Sequence, residues 1–79
     1  MKEFRQDFSG ENLRDADLRD SDLTGFDFSN SHLQCADLRN SNLNHVDLTK
    51  TDLSDANLAG ANLSDADLTG ANLSDANLT

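Results

Sequence analysis

The sequence predicts an all-β solenoid, a coil that bends once every five residues and returns a large apolar side chain to a common interior each time. Three observations lead there. Leu or Phe stands at every fifth position from Phe8 to Leu78 without a gap. The residue before it is Asp or Asn in every repeat except at His32. The residue two after it is Gly, Asn or Asp in most repeats, with Cys35, His45 and Lys50 departing. The apolar positions, and so the candidate core, are Phe8, Leu13, Leu18, Leu23, Phe28, Leu33, Leu38, Leu43, Leu48, Leu53, Leu58, Leu63, Leu68, Leu73 and Leu78.

Neither regular element can use a period of five. On an α-helix each step of five advances about 140°, so the leucines would visit every face and leave no apolar stripe. On a straight strand an odd period sends successive leucines to opposite sides. The period works only if the chain turns once per repeat. Gly, Asn and Asp two after each Leu suit that corner, because they enter turn and left-handed backbone conformations more readily than other residues.

The position two before each Leu is small in most repeats, as at Ala16, Ser21, Ser31, Ala36 and Ser41 and at every fifth residue from Ala56 to Ala76. A small side chain there fits inside the coil beside the Leu. Phe26 is the outsized occupant. A twenty-residue register sets Phe8 against Phe28, Arg19 against Arg39 and Phe26 beneath Val46; a fifteen-residue register makes none of these pairs. The spacing therefore favours four sides per coil over three. Phe26 is expected to pack with Phe28 and Val46.

The tandem units ADLRD, SDLTG, ADLRN, ANLAG, ANLSD and ADLTG resemble the pentapeptide repeat family over roughly residues 6–79. That resemblance implies a right-handed quadrilateral β-helix with four repeats per coil, hence slightly under four coils here. Residues 1–5, with Phe4 out of phase, form an N-terminal lead-in or cap in this reading, and 6–79 the β-helix. The resemblance also implies a non-catalytic structural or protein-interaction module. Some members of the family imitate DNA and bind type II topoisomerase, inhibiting or protecting it. Those members look like longer dimeric rods, whereas this chain holds one unbroken phase for under four coils.

Composition narrows the partners. Fifteen acidic residues against six basic ones give a formal charge of −9 over 79 residues, and every cation lies between Lys2 and Lys50. An acidic surface repels nucleic acid and anionic membrane, so no direct binding to either is expected. No apolar run is long enough to span a membrane, and MKEFRQDFSG lacks the apolar stretch of a signal peptide. A cytoplasmic protein without cofactor, and an unidentified protein partner, are the expectation. The C-terminal coil is expected to lie open and to offer a surface for a second copy.

Asp7, Asp27, Asp47 and Asp67 fall in one outward column of the twenty-residue register. At the β-sheet spacing of about 4.8 Å, neighbouring charges repel by about 0.9 kcal/mol in a water-like dielectric. The column reads either as an acidic interaction stripe or as side chains that hydrogen-bond nearby backbone. Other columns exchange Asp and Asn freely (Asn12, Asp52, Asn72), which favours the backbone role. His32, Cys35 and His45 are the metal-ligating types, but they fall on a side and on two different corners, so zinc's convergent tetrahedral set is not expected. Without a buried acid beside them they make no catalytic pair either. Arg14, Arg19 and Arg39 are expected to pair at the surface with Asp15, Asp17, Asp20 and Asp37, for little stability each.

Overall fold

The computed structural model describes residues 6–79, and throughout them the backbone repeats one unit: a bridge residue, an inward Leu or Phe, then a two-residue turn. No helix occurs among the described residues. Eleven parallel bridges, from Asp7↔Asp27 to Asn57↔Asn77, all join residues twenty apart. The chain is therefore a four-sided β-helix. Its coils run 6–25, 26–45 and 46–65, with a partial fourth over 66–79. Face 1 comprises 6–10, 26–30, 46–50 and 66–70; faces 2, 3 and 4 follow at five-residue steps.

Each side is tied to the next coil by backbone bonds of parallel-sheet type. On face 2, Leu33 N–H donates to Asp52 O at 2.8 Å, Cys35 N–H to Ser54 O at 3.0 Å, and Asp52 N–H to Ser31 O at 3.1 Å. At every corner but the one at Ser21, the residue three after Leu donates back to the Leu carbonyl, as Ala36 N–H does to Leu33 O at 3.0 Å. The residue two after Leu has positive φ at every corner from Gly10 to Asp75, within 56–73°. A positive φ at the third residue alone is the signature of a type II turn. Cys35, His45 and Lys50 adopt it too, at 62°, 61° and 56°, so repetition of the coil overrides their poor preference for that region.

The interior is graded along the axis. Leu33, Leu38, Leu43, Leu48 and Leu53 are fully buried, with Ala36, Val46 and Ala56 beside them. Phe8, Leu13 and Leu18 at one end, and Leu63, Leu68 and Leu73 at the other, are only partly buried, and Leu78 is 54% exposed. Among the described residues, middle coils are covered from both sides and rim coils from one. Phe26 packs against Phe8 and Phe28, with ring centroids 5.7 and 5.9 Å away. Phe8 and Phe28 stack at 5.7 Å. The expected Phe26–Phe28 pair is thus part of a three-ring cluster spanning the first two coils. The proposed cap at 1–5 lies outside the described residues.

Two inward hydroxyls bond across coils, which the repeat alone does not announce. Ser41 Oγ donates to Leu18 O at 2.5 Å and accepts from Ser21 N–H at 3.3 Å. It replaces the usual turn bond from the small residue back to Leu at that corner. Thr51 Oγ1 donates to Phe28 O at 2.7 Å. Ser31, in the equivalent slot, is buried with no hydrogen-bond partner for its Oγ.

Candidate functional surface

The Asp or Asn before each Leu has one dominant job. Its Oδ1 accepts from the backbone N–H two residues on, at 2.9–3.3 Å, in fourteen of the fifteen repeats. This Asx bond fastens the first turn residue, and Asp and Asn make it equally well. His32, the exception, lacks such an oxygen.

On face 1 the bond is doubled. Ser9, Ser29, Thr49 and Thr69 each donate a hydroxyl to the same Oδ1 of Asp7, Asp27, Asp47 and Asp67, at 2.6–2.7 Å. The four aspartates form a continuous bridged column, Asp7↔Asp27↔Asp47↔Asp67. The Thr69 hydroxyl, then its N–H, hold the Asp67 carboxyl below the usual range. Asp22 is lowered in the same way by Thr24. On face 2, Asp52 is lowered by the backbone and side chain of Ser54.

Face 3 carries two of the four cations among the described residues, Arg19 and Arg39. Arg19 binds Asp17 through Nε at 2.8 Å and lies 3.8 Å from Asp37 Oδ2 on the next coil, while Arg39 binds Asp37 at 2.6 Å. Hydrogen bonds from the Arg19 side chain bring the Asp17 carboxyl down to about 2. Arg39 lowers Asp37 likewise. Arg14 does not join this ladder: its guanidinium donates to Asn12 Oδ1 at 3.1 Å, and Asp15 and Asp20 form no ion pair among the described residues. The reason lies in the register. Asp15 and Asp20 occupy corners whose neighbours twenty residues on, Cys35 and Asn40, are not cations, whereas Asp17 and Asp37 share a flat side with Arg19.

His32 sits on face 2, exposed Cys35 at that face's corner, and His45 at the corner after face 4, with Nε2 3.7 Å from Asp65 Oδ2. Among the described residues no group of three or more His, Cys, Asp or Glu could hold a metal ion. No helix among them is long and apolar enough to cross a membrane.

A sequence profile described as pentapeptide repeats, in eight copies, matches residues 12–49 and 47–79. The chain belongs to the pentapeptide repeat family. Its fold is accordingly the right-handed quadrilateral β-helix that the resemblance implied. Among solved structures, this pentapeptide repeat protein is similar to HetL from the cyanobacterium Nostoc sp. strain PCC 7120, described as involved in heterocyst differentiation regulation. The identity is 41% and the TM-score 0.92, over 95% of this chain and 32% of HetL. It is also similar to Rfr23 from the cyanobacterium Cyanothece 51142, at 28% identity and TM-score 0.81, over 92% of this chain and 54% of that one. The chain thus spans about a third of the one neighbour and about half of the other. No curated protein sequence matches it.

Proposed function

We propose that this pentapeptide repeat protein is a non-catalytic interaction module of the cytoplasm whose flat, acidic sides dock another protein. One observation carries the reading: the interior is filled by stacked side chains, while the outward side chains are held in fixed columns by the Asx bonds. A rigid, ordered surface loses little side-chain freedom on binding. HetL's stated role in regulating differentiation is of the kind a protein-binding surface serves. Capture on the immobilised chain, followed by mass spectrometry, tests this. A saturable partner released by Asp27→Lys/Asp47→Lys supports the docking role; partners retained unchanged by that variant overturn it.

A second reading, imitation of DNA toward a type II topoisomerase, is favoured by charge density. Residues 6–79 carry fourteen carboxylates and four cations, a net −10. At about 4.8 Å per coil, Asp7 to Asn77 rises about 17 Å, or about one net charge per 1.7 Å. That is the linear charge density of duplex DNA, about one per 1.7 Å. Gyrase supercoiling assayed with excess chain separates the two: inhibition that fades with added salt supports mimicry, and no effect leaves the docking reading.

A further inference from the structure

The column of Asx bonds on face 2 is broken once. Below the break Arg14 N–H donates to Asn12 Oδ1 at 3.3 Å. Above it Ser54 N–H donates to Asp52 Oδ1 at 3.0 Å and Ser74 N–H to Asn72 Oδ1 at 3.1 Å. His32 stands where the fourth oxygen would be, and Gln34 N–H has no partner among the described residues. The same residue holds a second unmatched group, because Gln34 Oε1 is shielded and accepts nothing. The break thus leaves a backbone donor and a side-chain acceptor together on Gln34. Its backbone is held on both flanks, where Leu33 N–H reaches Asp52 O at 2.8 Å and Cys35 N–H reaches Ser54 O at 3.0 Å. The free donor therefore has a fixed direction.

The chemistry of an occupant follows from that pair. An N–H beside a C=O is matched by a group that carries the reverse, a carbonyl acceptor and an N–H donor on one carbon, which is a primary amide. A carboxylate offers acceptors only. It would also meet Glu11, Asp15, Asp52, Asp55 and Asp75 on this side against Arg14 alone, and like charges repel. We propose that the gap at His32 is a binding subsite for the side-chain amide of an asparagine or glutamine on a protein partner. The amide carbonyl takes the place of the missing Oδ1 on Gln34 N–H, and its NH2 group donates to Gln34 Oε1. That oxygen gives up no hydrogen bond when the side chain turns toward the donor, whereas staying shielded and unpaired costs free energy. The subsite rests on the docking reading given above and adds a fixed anchor point to one flat side.

Proton–nitrogen correlation NMR of the chain, titrated with acetamide, tests the subsite. The Gln34 amide should move several-fold further than the Arg14 and Ser54 amides of the same column, whose N–H groups are already bonded. Sodium acetate at equal concentration should move it less. His32→Asn supplies the missing oxygen, so it should raise the urea midpoint and at the same time cut the Gln34 response to that of its neighbours. His32→Ala leaves the gap open and should keep the response. A partner captured on the immobilised chain should bind His32→Asn about tenfold more weakly and His32→Ala as before. If nothing is captured while Gln34 still answers acetamide in this pattern, the subsite stands and the docking reading fails. A Gln34 amide that moves no further than Ser54, that prefers acetate, or that responds unchanged in His32→Asn overturns the subsite. So does a Gln34 shift that grows with the concentration of the chain alone, which would place a second copy there.

Discussion

Replacing Leu48 by Ala should cost far more stability than the same change at Leu78, and the ratio follows from stacking. Leu48 is fully buried and lies between Phe28 and Leu68 in its column, as the bridges Asp27↔Asp47 and Asp47↔Asp67 fix. Truncation there removes contacts with the coil above and the coil below and leaves a cavity that a hydrogen-bonded backbone cannot collapse to fill. Leu→Ala at such sites costs about 3–5 kcal/mol, a large share of the roughly 5–15 kcal/mol that holds an ordinary domain folded. Leu78 is 54% exposed and has a neighbour on one side only, so the same change should cost below about 1 kcal/mol. Leu73→Ala should fall between. The chain has no Trp or Tyr, so far-UV circular dichroism during urea titration is the suitable probe. In a repeat stack, stability is a sum over coils and their interfaces. Equal losses at Leu48 and Leu78 would refute that account of the core.

Other outcomes follow from the corners, the Asx bonds and the ion pairs. Asn57→Ala should lose about 1 kcal/mol with the bond from Ala59 N–H, whereas Asn57→Asp should stay within about 0.5 kcal/mol; urea midpoints compare them. Lys50→Gly should stabilise by about 1 kcal/mol by relieving its positive φ of 56°. Gly60→Ala should destabilise more than Gly10→Ala, because a Cβ at Gly60 would run into Asn40 Oδ1 while Gly10 faces open space. Asp17, held at about 2 by Arg19, stabilises the fold fully above its unfolded value near 4 and loses that contribution as pH falls toward 2. Solvent screening keeps the effect small. Between pH 4 and 2 the urea midpoint of the wild type should therefore fall further than that of Asp17→Asn, and parallel curves would remove Arg19 from the account.

The fold was legible because its signal is one number repeated. A period of five excludes helix and straight strand at once, and the Phe8–Phe28 and Arg19–Arg39 coincidences select twenty residues per coil, as the bridges show. What the period could not show was anything that breaks its symmetry. Ser41 and Ser31 look identical in the repeat, yet one bridges Leu18 and Ser21 while the other has no partner. The difference lies in the turn beneath: Glu11 N–H keeps its bond to Phe8 O at 3.2 Å below Ser31, whereas Ser21 N–H turns to Ser41 Oγ. Arg19 reaching Asp37 was readable in principle, since the register sets Asp37 directly above Asp17. Arg14 turning to Asn12 instead depends on which neighbours share its flat side.

The choice between Asp and Asn is where surface separates from scaffold. Both hold the turn by the same Oδ1 bond, as Asp47 to Thr49 N–H at 3.0 Å and Asn62 to Ser64 N–H at 3.0 Å show. The backbone is therefore indifferent to the charge, but the column is not. Four aspartates stacked on face 1 repel by about 0.9 kcal/mol per adjacent pair in a water-like dielectric, a cost that four asparagines would avoid without losing the Asx bond. The hydroxyls of Ser9, Ser29, Thr49 and Thr69 ease that repulsion but do not require a carboxylate, since Ser64 and Ser74 donate to Asn62 and Asn72 in the same way. On the proposed docking role, that charge serves the partner rather than the fold. Replacing Asp7, Asp27, Asp47 and Asp67 together by Asn should leave the circular dichroism spectrum unchanged and the urea midpoint equal or higher, while abolishing capture of the partner. A lower midpoint would assign the carboxylates to the fold, and a variant that binds its partner as before would remove face 1 from the docking surface.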